Sequence, residues 1–174
     1  MASFVALLRA VNVGGTGKLA MTDLKAMCND AGFCSVRTYI ASGNVVFESD
    51  RSPTVVRKEL EERLLGYAGK PVGVILRTAR EMAEVLARNP FPNEAPNRTV
   101  AIFLETAPPP TALESISGRV DEKVAVGTKE IYVSYGANMG RSKLKIPAAK
   151  SGTARNMNTV AKLAAMAAEK APSP

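Results

Sequence analysis

The sequence predicts an α+β fold built from two related ferredoxin-like halves of the βαββαβ type. The first observation is the order of apolar patterns in residues 1–77, which run as β-α-β-β-α-β. The second is a partial repeat of that order in residues 78–170. A chain of 174 residues, 46% of them hydrophobic, is long enough for two small halves that share a core. We therefore expect mixed or antiparallel sheets with helices on one face, and a disordered tail at residues 171–174.

Turn and capping residues mark the elements of the first half. A nearly continuous apolar run predicts the first strand, and Thr22 as N-cap and Gly32 as the stop bracket the first helix. Gly43 lies in a Ser-Gly-Asn turn that is typical of a hairpin, and Ser52 followed by Pro53 begins the second helix. The predicted elements are a strand at 4–13, a helix at 21–31, a hairpin at 35–49, a helix at 52–65 and a strand at 71–77.

The second half is marked by the same kinds of residue. Pro90 ends an early helix, because the residue before a proline avoids the helical region. Gly127 begins the turn of a second hairpin, and Thr153 is the expected N-cap of the last helix. The predicted elements are a helix at 79–88, a strand at 99–105, a short helix at 111–116, strands at 122–126 and 130–135, a loop at 136–150 and a helix at 154–169.

The chain contains no histidine, and this excludes several classes of catalytic site. Ser-His-Asp and Cys-His nucleophile systems require an imidazole, as do most zinc and non-haem iron sites. Magnesium bound by carboxylates is still compatible with the composition. We expect neither a cofactor nor a metal.

The cysteine content and the apolar pattern favour a cytoplasmic protein. Cys28 and Cys34 are the only cysteines, too few for a disulfide framework. No run of 18 apolar residues is present, so we expect no membrane span. Arg9 interrupts the apolar start of the chain, which lacks the basic region of a secretory signal.

The positive charge is concentrated near the end of the chain. The formal net charge is +7, and residues 131–168 contain no Asp or Glu. A cationic segment of this kind favours phosphates, nucleic acid or an acidic surface, although a solvated basic tail has the same composition. The six basic residues of this segment are Arg141, Lys143, Lys145, Lys150, Arg155 and Lys162.

A glycine-rich loop follows the first strand and ends on Lys18. Gly15 and Gly17 have the spacing of a dinucleotide-binding loop, but four residues separate them from the Thr22 cap, whereas that motif opens the helix directly. Asn12 stands where a P-loop requires glycine. A non-standard phosphate nest of backbone N–H groups remains, with a flexible connection as the alternative. The candidate anion contacts here are Arg9, Asn12, Gly14, Gly15, Gly17 and Lys18.

Two later stretches provide a second group of candidate contacts. Arg141, Ser142 and Lys143 combine a planar guanidinium, a hydroxyl donor and a point charge, which together suit several phosphate oxygens. The alternative is an edge strand whose lysines oppose aggregation. Arg155 and Asn156 fall in the predicted first turn of the last helix, where a basic residue is unfavourable unless an anion binds.

Several separated motifs resemble one family of bacterial proteins. The stretches VALLRAVNVGG, TYIASGNVVF, RSKL and ARNMNTVAKL are similar to the domain-of-unknown-function 1697 family. The resemblance implies an α+β fold and no particular activity. The chain departs from the family pattern at Met157, where the pattern has tryptophan. If that aromatic is a stacking group, stacking is lost here, whereas methionine can replace a core anchor.

The leading hypothesis is a cytoplasmic module that binds a phosphate-bearing ligand, either a nucleotide or a nucleic acid. The glycine loop would form one wall of the site and the late basic residues the other. One alternative is an enzyme that acts on a phosphorylated small molecule without histidine or metal, through electrostatic stabilisation. A further alternative is an interaction module for an acidic partner protein. The sequence leaves open whether the two walls converge and which oligomeric state the protein adopts.

Overall fold

The structure, a computed structural model, describes residues 1–12 and 18–169. Within these residues the strands form two four-stranded antiparallel sheets, which confirms the predicted α+β class with two ferredoxin-like halves. In chain order the elements are β1 (Ala2–Leu8), α1 (Met21–Asp30), β2 (Cys34–Thr38), β3 (Asn44–Ser49), α2 (Pro53–Ala68), β4 (Val74–Thr78), α3 (Ala79–Ala87), β5 (Thr99–Phe103), β6 (Lys123–Val126), β7 (Glu130–Ser134), β8 (Thr153–Asn156) and α4 (Met157–Ala168).

The chain divides into two compact units. The first contains Met1–Met82 and the residues from Leu163 onward, and the second contains Ala83–Lys162. The division therefore falls within α3 and again within α4, whereas the sequence predicted one boundary after residue 77. The predicted tail at 171–174 lies outside the described residues.

The first unit has the strand order β2-β3-β1-β4, with both of its crossover helices on one face. Phe4 and Phe47 are register partners on neighbouring strands, and their ring centroids are 5.9 Å apart. Leu24 and Cys28 of α1 and Leu60 of α2 belong to the same buried cluster as these rings. The helices are amphipathic, so burying their apolar sides against this face removes that surface from water.

The second unit repeats the strand order as β6-β7-β5-β8, but without the crossover helices. The connections 104–122 and 135–152 consist of turns and 3₁₀ segments. The prediction of a short helix at 111–116 was wrong. Ala112 donates to the carbonyl of Pro109 at 3.0 Å and Glu114 to that of Thr111 at 3.0 Å, so this segment forms separate turns. The prolines that precede it provide no N–H groups to extend a helical ladder.

Two predicted element boundaries in the first half were wrong. The first strand ends at Leu8 instead of residue 13, because Ala10 and Asn12 adopt φ values of 52° and 56°, which a strand cannot accommodate. Thr22 does not cap α1, whose N-cap is Ala20 and forms no side-chain bond. By contrast, Ser52 caps α2 as predicted, since its side chain accepts from the N–H of Val55 at 3.3 Å.

The start of the last helix was also predicted wrongly. Thr153 and its neighbours form β8, which pairs antiparallel with β5, and α4 begins only at Met157. The cap is Asn156, whose Oδ1 accepts from the N–H of Thr159 at 2.9 Å. Met157 itself is 3% exposed, which is the position of a packing residue. Pairing with a distant strand therefore outweighs the local helix signal at residues 154–156.

Candidate functional site

The two crossover connections of the second unit are joined to each other through their backbones. Ser117 donates to the carbonyl of Lys145 at 3.1 Å, and Lys145 donates back to the carbonyl of Ser117 at 2.8 Å. The pair forms an isolated antiparallel bridge outside the sheet. It holds the residues that follow Ser117 beside the residues that precede Lys145.

Gly118 allows this close approach. Its φ is +70°, and a Cβ at this position would lie 2.1 Å from the carbonyl oxygen of Lys143. No side chain fits at that distance, and a left-handed φ is costly for residues other than glycine. The glycine therefore brings the backbone of one connection against the backbone of the other.

A concavity of about 540 Å³ lies between the two connections. Its lining includes Arg119 from the first connection and Arg141, Ser142 and Lys143 from the second. All three cations are exposed. Within the described part of the chain, the side chains of Arg141 and Lys143 form no hydrogen bond or ion pair, whereas Arg119 Nε donates to the carbonyl of Glu122 at 2.8 Å. The arrangement places unpaired positive charge around a cavity of ligand size.

Ser142 adds a hydroxyl group to this concavity. The 3₁₀ segment Gly136–Arg141 ends on it, and its N–H donates to the carbonyl of Met139 at 3.3 Å. Its Oγ accepts from the N–H of Leu144 at 3.3 Å. Because this bond uses Oγ as an acceptor, the hydroxyl proton can still be donated to a ligand.

Two carboxylates share the concavity, in different environments. Glu122 is 4% exposed. Burial acts to raise the pKa of Glu122, but hydrogen bonds from the backbone N–H groups of Val120 and Asp121 outweigh it, so the pKa lies below its ordinary value. Asp121 is exposed at the rim. Among the described residues, no cluster of three acidic or cysteine side chains is placed to hold a metal ion.

Arg155 and Asn156 lie outside the lining of this concavity. Arg155 is on β8, opposite Ala101, and only 6% of it is exposed. Its guanidinium donates to Thr153 Oγ1 at 2.7 Å and to the carbonyl of Ala154 at 2.9 Å. Burial lowers the pKa of Arg155 to about 10, so the group is still a cation at neutral pH. Asn156 uses its side-chain oxygen as the cap of α4. A ligand contact for either residue stays a prediction.

The other predicted contacts belong to the first unit, and Gly14, Gly15 and Gly17 lie outside the described residues. Arg9 is half-buried, and its N–H donates to the carbonyl of Gly73 at 2.9 Å. Lys18 is exposed and lines a smaller cavity of this unit.

The side chain of Asn12 bonds to the backbones of Leu19 and Ala41. Its Nδ2 donates to the carbonyls of Leu19 at 2.9 Å and Ala41 at 2.7 Å, and its Oδ1 accepts from the N–H of Leu19 at 2.7 Å. These bonds use both amide protons of the side chain, so its observed role is to hold the backbones of Leu19 and Ala41.

The sequence prediction missed Arg119. Its position beside Asp121 and Glu122 gives that stretch a balanced charge, so no basic cluster was visible. The available signal was Gly118, since a glycine before the hairpin indicates a backbone that approaches another segment closely.

Comparison with solved structures supports the fold of the chain. The chain is similar to the conserved bacterial protein SP0830 from Streptococcus pneumoniae, with a TM-score of 0.79 and 23% identity. The match covers 95% of this chain and 98% of the neighbour, and at this identity it shows the fold alone.

Sequence comparison identifies the family of the chain. A search of curated proteins found no match to the chain. No helix among the described residues is long and apolar enough to cross a membrane. The family model described as a protein of unknown function (DUF1697) matches residues 1–132, about three quarters of the length, so the chain belongs to the DUF1697 family.

Proposed function

We propose that this protein binds a phosphate-bearing small molecule, such as a nucleotide or a sugar phosphate, in the concavity of the second unit. The observation that carries the proposal is the approach of Arg119, Arg141 and Lys143 around one cavity. The cavity volume of about 540 Å³ lies in the range of small-molecule sites.

The donor set suits phosphate better than a single carboxylate. A guanidinium can bind two oxygens with a planar fork, and the lysine ammonium adds a point charge. Ser142 provides a neutral donor between the two cations in sequence. Four donors from two chain segments match a group with three or more oxygens, and the net charge of +7 favours any anion.

A compact ligand is favoured over nucleic acid. Proteins that bind single-stranded RNA or DNA stack the bases on aromatic side chains. None of the described residues that line the concavity is aromatic. Nucleic-acid binding makes a separate prediction: the affinity for a labelled single-stranded oligonucleotide falls with a log–log salt slope of roughly one per phosphate contact.

Asp121 favours a second candidate function, an enzyme that acts on a phosphorylated small molecule. Its exposed carboxylate lines the same concavity as the three cations. A carboxylate beside a bound compound is a candidate general base. Asp121→Asn would then abolish turnover of the bound compound while leaving binding intact.

A cytoplasmic location is proposed for either function because Cys28 and Cys34 are both free thiols.

The experiment is calorimetric titration of the full chain with ATP, a sugar phosphate and pyrophosphate. We expect at least one compound to bind, and the paired substitution Arg141→Ala and Lys143→Ala to weaken it about tenfold or more, since charge-assisted bonds contribute about 1.5–3 kcal/mol each. The matched control is Lys162→Ala, which removes an exposed lysine of the same unit outside the concavity. An equal loss in the control, or binding of none of the compounds, would overturn the proposal.

A further inference from the structure

The first unit contains a separate cavity with an apolar floor. Its volume is about 210 Å³, and it lies between the end of β1, the last turns of α2 and the chain before β4. Val11, Leu19 and Leu64 line it and are 5%, 6% and 1% exposed. This volume is large enough for a small aromatic ring, since a cavity of about 150 Å³ admits benzene.

The rim of this cavity is positively charged. Lys18 and Lys70 both line it, and both are exposed. Within the described ranges, neither ammonium group forms a hydrogen bond or an ion pair. The nearby Asp23 accepts a hydrogen bond from the hydroxyl of Tyr67 at 2.8 Å, so this carboxylate is engaged with the phenol.

The walls are fixed before any ligand arrives. Two hydrogen bonds with Asn12 hold the backbone of Leu19 on one side. On the other side Gly69 ends α2 in the left-handed conformation, with φ of 71°, and its N–H donates to the carbonyl of Leu65 at 2.9 Å. This turn sets the direction of the chain at Lys70. A preformed site loses little free energy to ordering on binding.

We infer that this cavity is a second binding site, for a small organic anion with an apolar body and one acidic head group. The buried floor accepts an aromatic ring or a short acyl chain, and the two lysines pair with a carboxylate or a phosphate monoester at the rim. The inference is independent of the phosphate site proposed in the second unit, because the two cavities share no residue.

The test is a titration of the full chain followed by ¹H–¹⁵N NMR. The probes are benzoate and phenyl phosphate, with benzyl alcohol as the neutral analogue and inorganic phosphate as the head group alone. We expect saturable shifts at the amides of Leu19, Leu64 and Lys70 with both acids. Benzyl alcohol and inorganic phosphate should each bind at least about fivefold more weakly, since each lacks one of the two contributions.

Two variants test separately how the apolar floor and the charged rim contribute to binding. Ala68 lines the cavity and is exposed, so Ala68→Leu should fill it without unfolding the chain, which the NMR spectrum itself monitors. Lys18→Ala combined with Lys70→Ala should weaken both acids to the affinity of benzyl alcohol. Lys25→Ala, which removes an exposed lysine outside the cavity, is the surface control.

Either of two results would overturn the inference. The first is the absence of saturable shifts at the cavity with both acids. The second is an affinity that neither Ala68→Leu nor the double lysine variant changes relative to Lys25→Ala. Weakening of phenyl phosphate and benzoate together supports a shared anion site, whereas binding of phenyl phosphate alone identifies the phosphate monoester as the ligand class.

Discussion

Ser117 and Lys145 exchange two backbone hydrogen bonds, of 3.1 and 2.8 Å, across the two connections of the second unit. In the first unit the corresponding connections are occupied by α1 and α2, which cover one face of their sheet. In the second unit both connections lack α-helices, and they meet each other at this bridge. The basic concavity lies beside the bridge, so the difference between the two halves provides the space for the proposed ligand.

We predict that Gly118→Ala destabilises the second unit and impairs ligand binding. The added Cβ would lie 2.1 Å from the carbonyl oxygen of Lys143, and the φ of +70° is strained for alanine. The combined cost should be about 2 kcal/mol or more in the free energy of unfolding. Chemical denaturation checks this. Gly140→Ala is the matched control, because a Cβ there meets nothing within 4 Å. Equal stability of the two variants would contradict the close approach.

We predict that Asn12→Ala lowers the free energy of unfolding by about 2 kcal/mol, because it removes three hydrogen bonds to Leu19 and Ala41. Asn12→Gly is the useful comparison, since glycine accepts the φ of 56° without strain but makes none of these bonds. A loss shared by both variants reports the hydrogen bonds. A glycine variant as stable as the original chain would show that the bonds contribute nothing.

The two cysteines should differ sharply in reactivity. Burial raises the pKa of Cys28 to about 12, and Arg63 opposes this only in part. A thiol with a raised pKa stays protonated at pH 8, and the thiolate is the reactive form. Cys34 is exposed. A thiol reagent at pH 8 should therefore label one cysteine rapidly in the native protein and both in denaturant. Rapid labelling of both in the native protein would contradict the burial of Cys28.

The N-cap of α4 provides a test of where that helix begins. Asn156→Ala should cost about 1 kcal/mol, because the N–H of Thr159 loses its acceptor, whereas Asn156→Asp retains an acceptor and should be nearly neutral. Thermal unfolding of the two variants measures the difference. If the helix began at residue 154, both substitutions would fall inside it and the aspartate would be no better than the alanine.

Local signals in the sequence predicted most of the fold. Ser52 and Pro53 mark the start of α2. The side chain of Ser52 accepts a hydrogen bond from the N–H of Val55, only three residues later in the sequence. Gly43 adopts φ of +89°, a left-handed conformation that strongly favours glycine in its turn. Features of this kind depend on neighbouring residues, and the sequence displays them directly.

The site was harder to predict because it depends on long-range pairing. Residues 154–156 have helix-compatible side chains. They nevertheless form part of β8, because they pair with β5, which lies more than fifty positions earlier in the chain, and Arg155 is buried there. Arg119 joins Arg141 only because Ser117 pairs with Lys145. Apart from Gly118, no local pattern indicates either event, so the sequence prediction included Arg141, Ser142 and Lys143 but not Arg119.

The most direct test of the central proposal is to map by ¹H–¹⁵N NMR, on the full chain, the binding of whichever of ATP, the sugar phosphate and pyrophosphate binds most tightly. We predict saturable amide shifts in residues 118–122 and 138–143, which disappear in the Arg141→Ala and Lys143→Ala variant and persist in Lys162→Ala. Shifts that are absent from both segments, or that persist unchanged in the double variant, would contradict it.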